Sequence, residues 1–298
     1  MAGPEIASAA LRLTTYLSVF LLVGATGLGL RLRGAPDGVT EPMRNRLRRS
    51  ILAASAVLTM ASLGGLYGQT WLFFGADEGV NPETLRIIAM ETRWGAGWRV
   101  QFGAASFAFI GALLLHTRAR STAWPVLAVG ATIAASAQAL TGHAAESSWL
   151  TTKVAAQAVH VTGGSLWIGS LLAIGAIALR PDTDRALATR IIERFSPLAL
   201  VSVGLLTLSG AVSAYYYLMS PIDLFLTVYG RVLGTKLLCF GLAAAIGYHN
   251  WQSIRPRLPA AGALADLRRS VTAELGLALI ILVLTAFLVS LPLPAWGM

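Results

Sequence analysis

The sequence predicts an all-α integral membrane protein, a bundle of eight transmembrane helices with both chain termini outside. Of its 298 residues, 55% are hydrophobic and only 12% are charged, and the mean hydropathy is +0.66. Soluble domains carry about 25% charged residues, so this chain lacks the polar surface of a soluble globular enzyme. Its apolar residues form eight segments, each close to the roughly 20 residues that cross a bilayer core of about 30 Å.

The predicted spans follow one another as a single transmembrane domain, residues 1–298. The first span is too long for the apolar region of a cleaved signal peptide, which has about 7–15 residues, so we expect it to be retained. The connecting loops are too short to hold a soluble domain. The eight spans cover residues 10–30, 50–73, 97–115, 123–140, 152–179, 197–218, 232–251 and 273–291.

The basic residues predict the orientation of the bundle. Cytoplasmic loops of membrane proteins are enriched in Lys and Arg, so the arginine-rich side is predicted to be cytoplasmic. The net charge of +9 is then a topology signal, and we expect no nucleic-acid partner. Sixteen of the 23 Lys and Arg residues follow spans one, three, five and seven: Arg31, Arg33, Arg44, Arg46, Arg48, Arg49, Arg118, Arg120, Arg180, Arg185, Arg190, Arg194, Arg255, Arg257, Arg268 and Arg269.

A short internal repeat suggests that the bundle consists of two similar halves. Residues 92–95 (Thr-Arg-Trp-Gly) open span three, and residues 227–230 (Thr-Val-Tyr-Gly) open span seven. Each tetrapeptide occupies the same place in a group of four spans, and both groups begin outside. We therefore predict two parallel four-helix repeats, residues 1–140 and 141–298.

Two loops contain signals for short helices. Asn81 followed by Pro82 and Glu83 is typical of a helix start, with Asn as the cap and Pro at the first helical position. Residues 184–195 place apolar and charged side chains on opposite faces, which predicts a short helix at the membrane interface.

The position of one histidine indicates where the chemistry takes place. His160 lies inside span five, roughly 13 Å below its outer end at the helical rise of 1.5 Å per residue. Ionisable residues inside a membrane are functional candidates because an unpaired polar group there is costly. We expect His160 to bind a metal or a proton, or else to hydrogen-bond a neighbouring helix. Residues at helical spacing on its face are Gln157, Gly164 and Trp167.

Glutamines in the outer half predict a hydrated vestibule that opens outward and leads toward His160. Trp167 is expected to lie further along the same pathway. The alternative is that the glutamines form hydrogen bonds between helices, a common use of Gln in membranes. Four of the five glutamines belong to this group: Gln69, Gln101, Gln138 and Gln157.

Five further side chains are candidate metal ligands. His143 and Glu146 lie three residues apart where span four meets the outside, and imidazole with carboxylate suits a divalent metal. Met60 and Cys239 carry soft sulfur ligands that select Cu(I), and His249 lies at the inner end of span seven. Met also serves as a core filler, and a lone buried Cys is usually inert.

Five short motifs form a family-like pattern in the second half of the chain. They are Gly-His-Ala-Ala at 142–145, His160 with Gly-Ser-Leu-Trp-Ile-Gly-Ser-Leu at 164–171, Tyr-Gly-Arg at 229–231, Lys-Leu-Leu at 236–238, and Asn250 before Arg-Pro-Arg-Leu at 255–258. This pattern resembles the CopD family of bacterial copper resistance proteins. The likeness is clearest over residues 141–258, and the count of eight spans extends it over the whole chain.

The resemblance implies a bacterial inner-membrane protein that carries copper from the periplasm to the cytoplasm. It implies that His143 and His160 take part, and that the partners are the lipid bilayer and a periplasmic copper-binding protein. A copper importer is expected to have a Met-rich outer segment, which this chain lacks, so the choice between Cu(I) and Cu(II) stays open.

Two alternatives stay open at the sequence level. Two histidines toward each side of the membrane is the arrangement of a di-haem b-type cytochrome, although the predicted depths of His143 and His160 do not match well. A copper-delivery or oxidase-assembly factor that transports nothing would share the same features. The sequence contains no nucleotide-binding, serine-hydrolase or zinc-protease motif, and we predict that the protein is not an enzyme.

Overall fold

The computed structural model describes residues 3–33, 39–75, 77–141, 151–177, 179–180, 183–218, 220–260, 262–289 and 291, and this part of the chain is helical without a β-strand. Short π-helical segments follow α3 and α9, and a 3₁₀ turn follows α5. The helices are α1 (Gly3–Arg33), α2 (Glu41–Phe74), α3 (Pro82–Arg86), α4 (Arg93–Leu114), α5 (Arg120–Ala137), α6 (Thr152–Ile177), α7 (Arg185–Tyr217), α8 (Asp223–Leu226), α9 (Val228–His249) and α10 (Ala263–Leu288).

Seven helical segments among the described residues are long and apolar enough to cross a membrane, one fewer than the sequence predicts. The predicted third span is present as α4, but α4 is not among the seven. Arg93, Arg99 and Gln101 lie in its first half and make it less apolar. The seven are Ala7–Arg33, Glu41–Phe74, Arg120–Leu140, Thr152–Ile177, Arg185–Tyr217, Val228–Arg257 and Ala263–Leu288.

The centre of the bundle is the crossing of α1 and α6, where two glycines bring the backbones into contact. A Cβ at Gly169 would lie 1.7 Å from the carbonyl oxygen of Phe20, and a Cβ at Gly24 would lie 2.0 Å from the carbonyl carbon of Gly169. Ser170 donates a hydrogen bond across the same crossing to the carbonyl oxygen of Gly24, at 3.2 Å. The glycines of the 164–171 motif therefore let helices approach closely, as small residues do in membrane bundles.

The two tetrapeptides that suggested a repeat have the same local structure. The hydroxyls of Thr92 and Thr227 accept hydrogen bonds from the amides of Gly95 and Gly230, each at 2.9 Å. The backbone angles of the two threonines agree within a few degrees, with φ of −97° and −100° and ψ of 153°. In each case a side chain at the glycine would collide with the short helical segment that precedes it.

The connections rich in arginine meet at one end of the bundle. Arg194, in the first turns of α7, donates to the carbonyl oxygen of Arg31 at the end of α1, at 3.1 Å. Arg268, in the first turns of α10, donates to the carbonyl oxygen of Arg180, which follows α6. The first bond joins the end of α1 to the first turns of α7, and the second joins the segment after α6 to the first turns of α10.

One predicted short helix is confirmed and the other is corrected. The side chain of Asn81 accepts a hydrogen bond from the amide of Glu83 and caps α3, which has Pro82 at its first position. Residues 184–195 are not a separate interfacial helix. They form the beginning of α7, because their apolar side chains are buried in the bundle and the helix continues through Pro197.

Candidate functional site

A cavity of about 460 Å³ that contains several polar side chains lies at the end of the bundle opposite the arginine-rich connections. Residues of α1, α2, α4, α6, α7, α9 and α10 line it, together with the 3₁₀ turn after α5. It brings together side chains that the sequence analysis selected from four different spans: Gln69, Gln101, Gln138, Gln157 and His160.

The imidazole of His160 is hydrogen-bonded to α7. Its Nδ1 lies 3.2 Å from the Oγ of Ser209. The Ser209 hydroxyl donates its only proton to the carbonyl oxygen of Leu205, so its oxygen accepts from the imidazole. The tautomer that fits this arrangement carries the proton on Nδ1 and the lone pair on Nε2. A neutral imidazole whose other nitrogen is fixed by a hydrogen bond is the usual form of a metal-binding histidine.

The glutamines around the cavity divide into two groups. Gln101 donates to the hydroxyl of Ser62 on α2, at a long 3.4 Å, and Gln138 donates to the carbonyl oxygen of Ala134 in its own helix. Gln69 and Gln157 form no hydrogen bond within the described part of the chain. Their amides are therefore available to water or to a ligand in the cavity.

The charged side chains that reach the cavity are basic. Arg12 from α1 and Lys236 from α9 line it, and none of the described lining residues is acidic. Lys236 is close enough to His160 for the two side chains to interact electrostatically. Among the described lining residues, the ligands open to a cation are neutral ones such as imidazole.

Trp167 belongs to a second cavity, of about 230 Å³, nearer the arginine end. Its indole nitrogen donates to the Oε1 of Glu274 at 3.0 Å, and its ring packs edge-on against Phe240. Trp167 therefore does not reach the vestibule that holds His160. Between His160 and Trp167 on α6, Gly164 lies against the ring of Phe20.

Glu274 was missed by the sequence analysis. It is one of the 14 acidic residues of the chain and lies within the predicted eighth span, whereas the other 13 lie outside all eight predicted spans. An acid inside an apolar span is itself a functional signal, which could have identified it. The side chain is only 2% exposed in the structure.

The other predicted ligands do not join His160 in the described structure. Met60 is 66% exposed on the outer face of α2, and His249 is exposed at the end of α9. Cys239 is buried in α9 but lines neither cavity. His143 and Glu146 lie outside the described residues. The described residues contain no group of three or more His, Cys, Asp or Glu side chains that could hold a metal ion.

Long apolar helices packed around an internal cavity define a multi-pass membrane protein. Comparison with protein families gives a more specific assignment. Residues 3–152 match the family described as copper resistance protein D-like, N-terminal domain, and residues 189–288 match copper resistance protein D. The chain belongs to the copper resistance protein D family. The segment between the two matches carries His160 and the 164–171 motif.

Two curated relatives agree with this assignment. Copper transport protein CutJ of Bacillus subtilis is 27% identical over 96% of this chain and 53% of its own length. Copper resistance protein D of Pseudomonas syringae pv. tomato is 27% identical over 94% of this chain and 95% of its own length. The chain thus spans about half of CutJ and nearly all of the second relative. No solved structure matches it, and nothing in these comparisons supports the haem alternative.

Proposed function

We propose that the chain carries copper across the membrane, from the outer side to the cytoplasm, through the cavity that holds His160. The observation that carries this proposal is the hydrogen bond from Nδ1 of His160 to Ser209, which leaves Nε2 free to bind copper. The names of the two relatives, a copper transport protein and a copper resistance protein, support copper as the cargo.

The proposal places eight helices across the membrane, with α4 as the eighth. Helix α4 runs antiparallel to α5 and contacts it along its length, with Gly97 near Leu140 at one end and Gly111 near Leu127 toward the other. Because α5 is apolar enough to span the bilayer, its neighbour crosses the same layer. The 22 residues of α4 extend about 33 Å at the helical rise, which is sufficient.

The arginine-rich end is proposed to face the cytoplasm of a bacterium, with the cavity and both termini on the outer side of the inner membrane. The positive-inside rule supports this orientation, because the arginines of separate connections meet at one end. Copper would then meet the polar cavity first.

The two halves, residues 1–140 and 141–298, are proposed to be structural repeats within the one transmembrane domain. Their matching Thr-x-x-Gly caps support this. Gln101 lies nine residues after Thr92 and Lys236 lies nine residues after Thr227, and both side chains line the same cavity. Equivalent positions of the halves thus contribute to one site between them.

His143 and Glu146 are proposed to be an outer copper station that precedes His160. Thr141, immediately before this segment in the sequence, lines the cavity, which supports a position near its opening. Several weak sites in sequence suit transport better than one tight site, because copper must also leave.

Replacing His160 tests the proposal. In His160→Ala, copper binding by the purified protein and copper uptake into proteoliposomes should both fall to background. The matched control is His116→Ala, which removes an exposed imidazole at the end of α4 that bonds only within its own helix. Full binding and uptake in His160→Ala, or an equal loss in His116→Ala, would contradict the assignment.

A further inference from the structure

The inner cavity contains a buried carboxylate with an ordered set of donors. Glu274 of α10 accepts at Oε1 from the indole of Trp167 and at Oε2 from the amide of Asn250, at 3.0 and 3.3 Å. Ser270 in turn donates to the amide oxygen of Asn250, at 2.5 Å. This last bond orients the amide so that its NH₂ group faces the carboxylate. The indole of Trp167 and the amide of Asn250 therefore both donate to Glu274.

No cation neutralises this carboxylate within the described structure. Glu274 forms no ion pair with a described Lys, Arg or His, and its hydrogen-bond partners are both neutral. The titratable side chains that line the same cavity are Tyr248 and Arg255, from α9 and the segment after it. The described lining residues from α6 and α7 are all uncharged. A buried charge with neutral partners alone favours uptake of a positive ligand.

The surroundings suit a proton better than a metal ion. A hard cation needs about six oxygen ligands, and the remaining lining of the cavity is mostly apolar. The Asn250 oxygen already accepts a hydrogen bond from Ser270. Copper prefers sulfur or imidazole, and neither reaches this cavity from the described residues. A proton needs only one carboxylate oxygen.

We infer that Glu274 is a proton-binding site that exchanges its proton with the cytoplasmic side through the inner cavity and couples that exchange to copper transport. The inference rests on the proposed function. Trp167 provides the connection, because it lies two turns below His160 on the same face of α6, about 10 Å away along the axis. Protonation converts a charged acceptor into a neutral one and weakens the bond from Trp167. The indole is then released from Glu274, on the face of α6 that also carries His160.

Infrared difference spectroscopy tests the site without copper. When the pH of the protein in nanodiscs is lowered, the spectrum should gain a carbonyl band from newly protonated carboxyl groups. The component of this band that comes from Glu274 should be missing in Glu274→Gln. The control Glu193→Gln removes an exposed carboxylate of α7 and should retain the component. His160→Ala should also retain it, although that variant should bind no copper. An unchanged spectrum in Glu274→Gln overturns the proton site.

Proton movement tests the coupling. Liposomes that contain the wild-type protein and a pH-sensitive dye should show proton movement when copper is added, and Glu274→Gln should reduce this to the level of protein-free liposomes. Copper binding by Glu274→Gln should stay equal to wild type. Glu274→Asp keeps a carboxyl and should keep part of the proton movement. This variant distinguishes loss of the carboxyl from a folding defect. Wild-type proton movement in Glu274→Gln overturns the coupling, whereas copper binding by His160→Ala overturns the proposed function instead.

Discussion

Replacing Ser209 tests whether the orientation of the His160 imidazole matters for copper binding, because the imidazole itself is kept. In Ser209→Ala the imidazole remains, but Nδ1 loses its acceptor at 3.2 Å. The ring can then take either tautomer and rotate, so Nε2 is no longer held ready for copper. Loss of such a supporting hydrogen bond typically weakens metal binding about 10–100-fold. This corresponds to about 1.4–2.8 kcal/mol of binding free energy.

Copper titration in competition with a chromophoric chelator measures this effect on detergent-solubilised protein. Ser213→Ala is the matched control. Ser213 lies one turn further along α7 and lines the same cavity, and its hydroxyl bonds to the backbone of Ser209. We expect wild-type affinity in the control and weaker binding in Ser209→Ala. Equal affinity in both variants, or equal loss in both, would refute the orienting role of Ser209.

Three further predictions concern packing, access and topology. Gly169→Ala should lower stability by about 1–3 kcal/mol in a detergent unfolding assay, because its Cβ would meet the Phe20 backbone. Gly175→Ala in the same helix should not, because its Cβ would meet only the Leu275 side chain, at 4.0 Å. In a background without the native cysteine, Gln157→Cys should react with an impermeant thiol reagent added outside. A Leu63→Cys control should react poorly, because Leu63 lies on the outer face of α2, which lipid covers. A reporter active only outside the cytoplasm should be active at the C-terminus, and activity of a cytoplasm-only reporter there would reject the orientation.

Local composition was enough to predict the membrane class and the approximate positions of the long apolar helices. Apolar runs of about 20 residues between arginine-rich loops identify spans without knowledge of their neighbours. The cap at Asn81 and the matching tetrapeptides that begin with Thr92 and Thr227 are also local, because each depends on hydrogen bonds within a few residues. Residues 184–195 failed as a local prediction because burial against other helices extends α7 through them.

The side of each helix that faces the cavity was decided by tertiary structure. A membrane helix is apolar all round, since both lipid and the bundle interior accept apolar side chains, so periodicity does not reveal its rotation. Met60 therefore resembled a ligand in sequence but lies on the outer face of α2. The partners Ser209 for His160 and Glu274 for Trp167 are 49 and 107 residues away in the chain. Only the packing of α6 against α7 and α10 brings these side chains together, because the contacts are between helices and no local sequence pattern specifies them.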